Sequence, residues 1–160
     1  MTIPAPTRDM VFTRTFMLHT WNLMARASST AAVRQSHLEW GEDALRVYFA
    51  QTKADQFGTH SREPRHVYAN PLQPELCSIL ALGMFWLCND NFVDELQLFA
   101  GDAQNERLRK ILPRALNLPE LREEIKDRVT LGTHSFRKGA SSYAAYGTTA
   151  ALTVLFKIAI

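Results

Sequence analysis

The sequence predicts a mainly α domain carrying a small antiparallel β-sheet (α+β), on three observations. Met10, Met17, Trp21 and Met24 recur at helical spacing. A strand-like alternation over 44–50 is followed, after a polar stretch, by a second β-rich run at 65–69. A helical pattern opens after Gly132 and reaches Gly147. The chain has 160 residues, 46% of them hydrophobic, which is enough for one domain with a real core and too apolar for a disordered chain.

Residues 1–6, with two prolines, read as a loose lead-in, so the domain is expected over 7–160. Thr7 is placed to cap a helix running to about Met24, whose apolar face is widened by Phe12, Phe16, Leu18 and Leu23. Ser28 or Ser29 starts a second, short helix ending near Ser36. Trp40 to Asp43 reads as a turn. Leu45, Val47 and Phe49 then alternate with Arg46 and Tyr48, a half-buried strand, and Arg65 to Ala69 returns as its partner. Pro74 suits the first turn of a buried helix over Leu76 to Cys88. Asp102 to Leu116 is helical in pattern, with Pro113 a kink or stop. Pro119 to Arg128 is a charged helix on a solvated face, and Thr133 caps the last helix. Residues 148–160 are small and apolar, a divergent or truncated end.

Charge and cysteine usage narrow the function classes. The net charge is only +2, so no global field argues for a polyanionic partner. The distribution says more: no Lys or Arg falls between Arg65 and Arg107, where Glu75, Asp90, Asp94, Glu95, Asp102 and Glu106 lie. Basic residues thus form two blocks around an acidic middle, which permits a basic face. Cys77 and Cys88 match no zinc spacing and read as buried free thiols, so no metal or other cofactor is expected. The first residues lack the apolar core of a secretion signal, and the run from Leu76 to Cys88 is too short for a bilayer. The expectation is an intracellular protein with no membrane partner.

The stretch Leu131-Gly132-Thr133-His134-Ser135-Phe136-Arg137-Lys138-Gly139-Ala140 carries the chemistry. A His and an Arg three residues apart leave one face of a helix. The guanidinium supplies a planar fork of donors and the imidazole a donor or a proton acceptor, a combination suited to phosphate. Upstream, Arg26 stands at the junction of the first two helices, and Lys53 lies just past the first strand, at a hairpin tip. Each has a plainer alternative: Arg26 as a C-terminal cap of the first helix, Lys53 as a solvated loop residue.

These features resemble the catalytic domain of the tyrosine recombinases, the phage-integrase family. Arg26-Ala27-Ser28 through Arg34-Gln35-Ser36-His37-Leu38-Glu39 resembles the first-arginine box, Thr52-Lys53 the hairpin lysine, and His134-Ser135-Phe136-Arg137 the His-x-x-Arg box. Lys138 to Tyr143 is similar to eukaryotic mobile-element versions. The resemblance covers about residues 7 to 150 and implies DNA recombination and integration by phosphodiester transesterification, in the nucleus if the source is eukaryotic. By the same resemblance Arg26 and Arg137 clamp the non-bridging oxygens, Lys53 protonates the departing 5′-oxygen, and His134 orients phosphate or moves a proton. Arg34 and Lys138 are expected at the DNA backbone. The implied partner is DNA, with assembly of copies on it.

The sequence departs from the family in two places. Ser29 stands where an acidic residue usually braces the first Arg. Only 23 residues follow Arg137 (160 − 137), and none beyond Gly147 is His, Trp or Tyr. The family nucleophile is a tyrosine one helix further on; Tyr143 and Tyr146 lie on the His-Arg helix itself and read as packing residues. The resulting expectation is a C-terminally truncated recombinase-like domain that binds DNA but does not cleave it alone. Two alternatives remain: an enzyme completed by further sequence or a partner chain, and a non-catalytic helical interaction protein.

Overall fold

A computed structural model describes residues 7–49, 63–89, 97–99, 101, 103–117 and 132–147. Helix α1 (Arg8–Asn22) starts as its sequence dictates: the Met10 N–H donates to the Thr7 side-chain oxygen at 3.2 Å. It ends in a Schellman turn. Met24 adopts a left-handed conformation (φ 45°), its N–H donates to the Trp21 carbonyl, and the Ala25 N–H reaches back to Thr20. That turn reverses the chain into α2 (Ala27–Ala31), shorter than expected and followed by a 3-10 turn over Gln35–His37.

The buried face of α1 is not the methionine stripe. Met10 is 48% exposed, whereas Phe12, Phe16, His19, Thr15 and Thr20 are inside. The threonines tolerate burial because their hydroxyls donate to their own helix: Thr15 to the Val11 carbonyl at 2.9 Å, Thr20 to Phe16 at 2.8 Å. Hydrophobicity alone therefore misplaces the face.

The sheet has three antiparallel strands in the order β1 (Leu38–Trp40), β2 (Ala44–Val47) and β3 (Arg65–Tyr68). The sequence pattern finds β2 and β3 and misses β1. Leu45 pairs with Val67 and Val47 with Arg65. Because residues directly opposite share a face, Leu45, Val47, Val67 and Arg65 all belong to the core side, and Arg46, His66 and Tyr68 to the other. Leu45 and Val47 are fully buried.

A 3-10 turn, Pro74–Leu76, leads into α3 (Ser78–Cys88), with Pro74 at its first position. Arg14 of α1 donates to the carbonyls of Pro74 and Glu75. Ser78, Ala81, Leu82 and Phe85 form the buried side of α3, which lies against α1. The opposite side is left outside, and this corrects the expectation for the thiols: both are free, but only Cys77 is buried and Cys88 is exposed.

Helix α4 (Gln104–Leu116) runs through Pro113 without stopping. It is tied to α1 by the Arg107 guanidinium, which bonds Asp9 at 2.7 Å and lies 4.2 Å from the Phe12 ring centre. The short segment 97–99 enters the core between α3 and α4. Phe99, fully buried, packs against Phe12, Phe16 and Phe85, and the Leu98 N–H donates to Val33.

The last described helix is α5 (Thr133–Gly147). Thr133 is its first residue rather than its cap. The Ser135 hydroxyl accepts the Gly132 N–H at 3.1 Å, while the Ser135 N–H donates back to Gly132. The charged helix expected over 119–128 and the ends 1–6 and 148–160 lie outside the described residues. No described helix is long and apolar enough to cross a membrane.

Candidate functional site: an arginine cluster between α1, β3 and α5

The Schellman turn places Arg26 as the N-cap residue of α2, with its backbone extended (φ −72°, ψ 148°) and its carbonyl accepting the Thr30 N–H. Its side chain makes no capping bond and is exposed. The plainer reading, Arg26 as C-terminal cap of the first helix, does not hold.

That role belongs to a residue the sequence reading treated only as part of a strand. Arg65 Nη1 donates to the Leu23 carbonyl, the C-cap position of α1. Its guanidinium sits 5.1 Å from the centre of the Phe49 ring. The strand period explains both contacts. Arg65 is two residues before buried Val67 and opposite buried Val47, so the side chain leaves the sheet on the core side. There, partly withdrawn from water, it meets Phe49 and the end of α1. The signal was present in the sequence as a cation in phase with core positions.

Helix α5 completes the site by docking on the same end of α1. Trp21 lies so close to Gly139 that a β-carbon there would stand 2.9 Å from its ring, and Trp21 also contacts Tyr143 at 6.2 Å between ring centres. Gly139 is thus a point of close helix approach. Phe136 packs against the core from the first turns of α5. Arg137, between these contacts in sequence, is half-buried, and His134 lies one turn earlier, exposed.

The electrostatics link the three arginines. Burial, and after it the positive charge of Arg26, lowers the proton affinity of Arg137. Burial, and after it the charge of Arg137, lowers that of Arg65. Arg26 and Arg137, more than a hundred residues apart in sequence, therefore feel each other's charge, and Arg65 joins them. No described carboxylate forms an ion pair with Arg26 or Arg65; among the described residues the ion pairs lie at Arg46, Arg107 and Arg109. The chemistry of such a cluster suits an anion: guanidinium forks present several donors to phosphate oxygens.

The remaining candidates are less tied in. Lys53 lies outside the described residues. Arg34 and Lys138 are exposed. Tyr146 is 92% exposed and so is not the packing residue expected; Tyr143 is 60% exposed and meets Trp21. Among the described residues no group of His, Cys, Asp and Glu is arranged to hold a metal. No family model, curated protein or solved structure matches the chain.

Proposed function

We propose that this chain is a DNA-backbone-binding domain of the tyrosine-recombinase type. In this reading Arg26 and Arg137 clamp the non-bridging oxygens of a phosphodiester, with His134 beside them on the first turn of α5. Lys53 is the general acid for the leaving 5′-oxygen. What supports the reading is that α5 docks on the end of α1 from which the chain turns to Arg26, close enough for the charge of Arg26 to act on Arg137. Extra negative charge develops on those oxygens during transesterification, and fixed guanidinium groups stabilise it without reorganising. The His-x-x-Arg spacing and the first-arginine box of the sequence point the same way.

The reading assigns phosphate binding and no nucleophile. Tyr143 and Tyr146 share a helix with His134 and Arg137, and the reading gives neither the role of attacking hydroxyl. Phosphate contacts fix position without reading bases, so binding is expected to be salt-sensitive and nearly indifferent to sequence.

Fluorescence anisotropy with a labelled duplex of arbitrary sequence tests this. The Arg26→Gln/Arg137→Gln double variant is expected to bind at least about tenfold more weakly, with a salt dependence shallower by about two phosphate contacts. A double variant that matches the parent in affinity and salt slope overturns the reading.

A further inference from the structure

We infer that Arg65 is the third cation of this anion site, a residue that both holds the α1–α2 junction in place and adds its charge to the bound phosphate's surroundings. The inference rests on the phosphate-binding reading of Arg26 and Arg137 and extends it to a strand residue outside the three boxes that the resemblance rests on.

The geometry has three parts. First, Arg65 is pinned. One nitrogen bonds the Leu23 carbonyl, and the guanidinium lies against the Phe49 ring, so its position is fixed before any ligand arrives. Second, what it is pinned to matters. Leu23 belongs to the turn that reverses the chain and delivers Arg26 three residues later, so Arg65 and Arg26 share one rigid support. Third, a guanidinium has five N–H donors, and the described residues supply one hydrogen-bond acceptor, the Leu23 carbonyl. The remaining donors suit a ligand oxygen.

The energetics point in the same direction. A residue needed only to tie β3 to α1 gains nothing from standing within reach of the Arg137 charge. Arg65 is partly withdrawn from water and feels the repulsion of Arg137, while no described carboxylate pairs with it. Like charges held together this way are relieved when an anion enters between them. The ligand class is a phosphodiester of the DNA backbone.

The test compares the intact chain with Arg65→Gln, Arg65→Lys and Arg26→Gln by anisotropy on a duplex of about 20 base pairs across a salt series. Arg65→Gln is expected to weaken binding about tenfold and to flatten the log–log salt slope by about 0.9, the increment for one phosphate contact. Arg65→Lys keeps the charge and is expected to keep the slope; loss of slope in that variant counts against a charge role. If Arg26→Gln weakens binding while Arg65→Gln retains affinity and slope, this inference falls and the two-arginine clamp stands. If neither variant weakens binding, the phosphate reading falls with it. Circular dichroism checks each fold. Should Arg65→Gln fail to fold, the decision passes to the unaltered chain labelled with ¹⁵N-arginine. Movement of the Arg65 Nε–Hε signal on adding duplex supports the inference, and a stationary Arg65 signal beside a moving Arg137 signal overturns it.

Discussion

Acidification is expected to destabilise this fold through one side chain, His19. Its imidazole is buried between α1 and α3. Nδ1 lies 3.0 Å from the Thr15 carbonyl and 3.0 Å from the Ser78 hydroxyl. A carbonyl only accepts, so the tautomer that suits this partner carries its proton on Nδ1. Nε2 then holds a lone pair, and it has no hydrogen-bond partner among the described residues. The edge-on Phe99 ring, 6.3 Å away between centres, is apolar. Protonating Nε2 would bury a charge with no acceptor. Burial thus lowers the His19 pKa from 6.5 to about 4, partly opposed by the bond to Thr15. The folded state therefore binds the proton less readily than the unfolded chain. Stability is fully present above 6.5 and is lost as pH falls toward about 4, where folded His19 also protonates and the loss stops. At about 1.4 kcal/mol per pH unit the whole window is worth about 3 kcal/mol. Urea unfolding of the intact chain and of His19→Gln, each at about pH 7.5 and about pH 4.5, isolates this contribution from the carboxylates both share. The intact chain should lose roughly 2–3 kcal/mol more than the variant between the two conditions. Parallel losses would refute the reasoning, because His19 would then titrate alike in the folded and unfolded chains.

Two further outcomes test the supports of the arginine cluster. Met24→Gly should stabilise the chain by roughly 0.5–1 kcal/mol in urea unfolding, because a left-handed Met costs about 1–2 kcal/mol and the added freedom of an unfolded glycine returns part of it; a destabilised variant would show that the turn holds no strain at Met24. Gly139→Leu should cost about 1–3 kcal/mol by overpacking against Trp21 and should also weaken DNA binding, since α5 must retreat from α1 and carry Arg137 with it. Unchanged tryptophan emission and unchanged affinity in that variant would mean that the approach of α5 to Trp21 does not position the site.

Much of the secondary structure was legible because its causes are local. Thr7 caps α1, the alternation of Leu45 and Val47 marks β2, and Arg65 to Tyr68 returns beside it. Less of the packing was legible. The methionines of α1 suggested one face, and the buried threonines and His19 define another, because a hydroxyl that donates to its own helix no longer behaves as polar. Phe99 gave no periodic signal, since it enters the core from a segment outside any helix or strand. The site divides in the same way. Arg26, His134 and Arg137 stood out by their motifs, while Arg65 looked like an ordinary polar strand residue. Its importance comes from the register with β2, which sets it on the core side facing the end of α1.

By itself the sequence determined the helices and the β2–β3 pair, though not β1, and marked two arginines, far apart along the chain, as candidates for one anion. Hydrogen bonds and side-chain periods over a few residues are enough for that. Only the tertiary structure decided that Arg65 of β3 bonds the Leu23 carbonyl at the turn leading to Arg26, and that Gly139 lets α5, with Arg137, come close to Trp21 at the same end of α1. Those facts depend on which faces pack together, and packing is settled by the fit of whole elements rather than by any one of them.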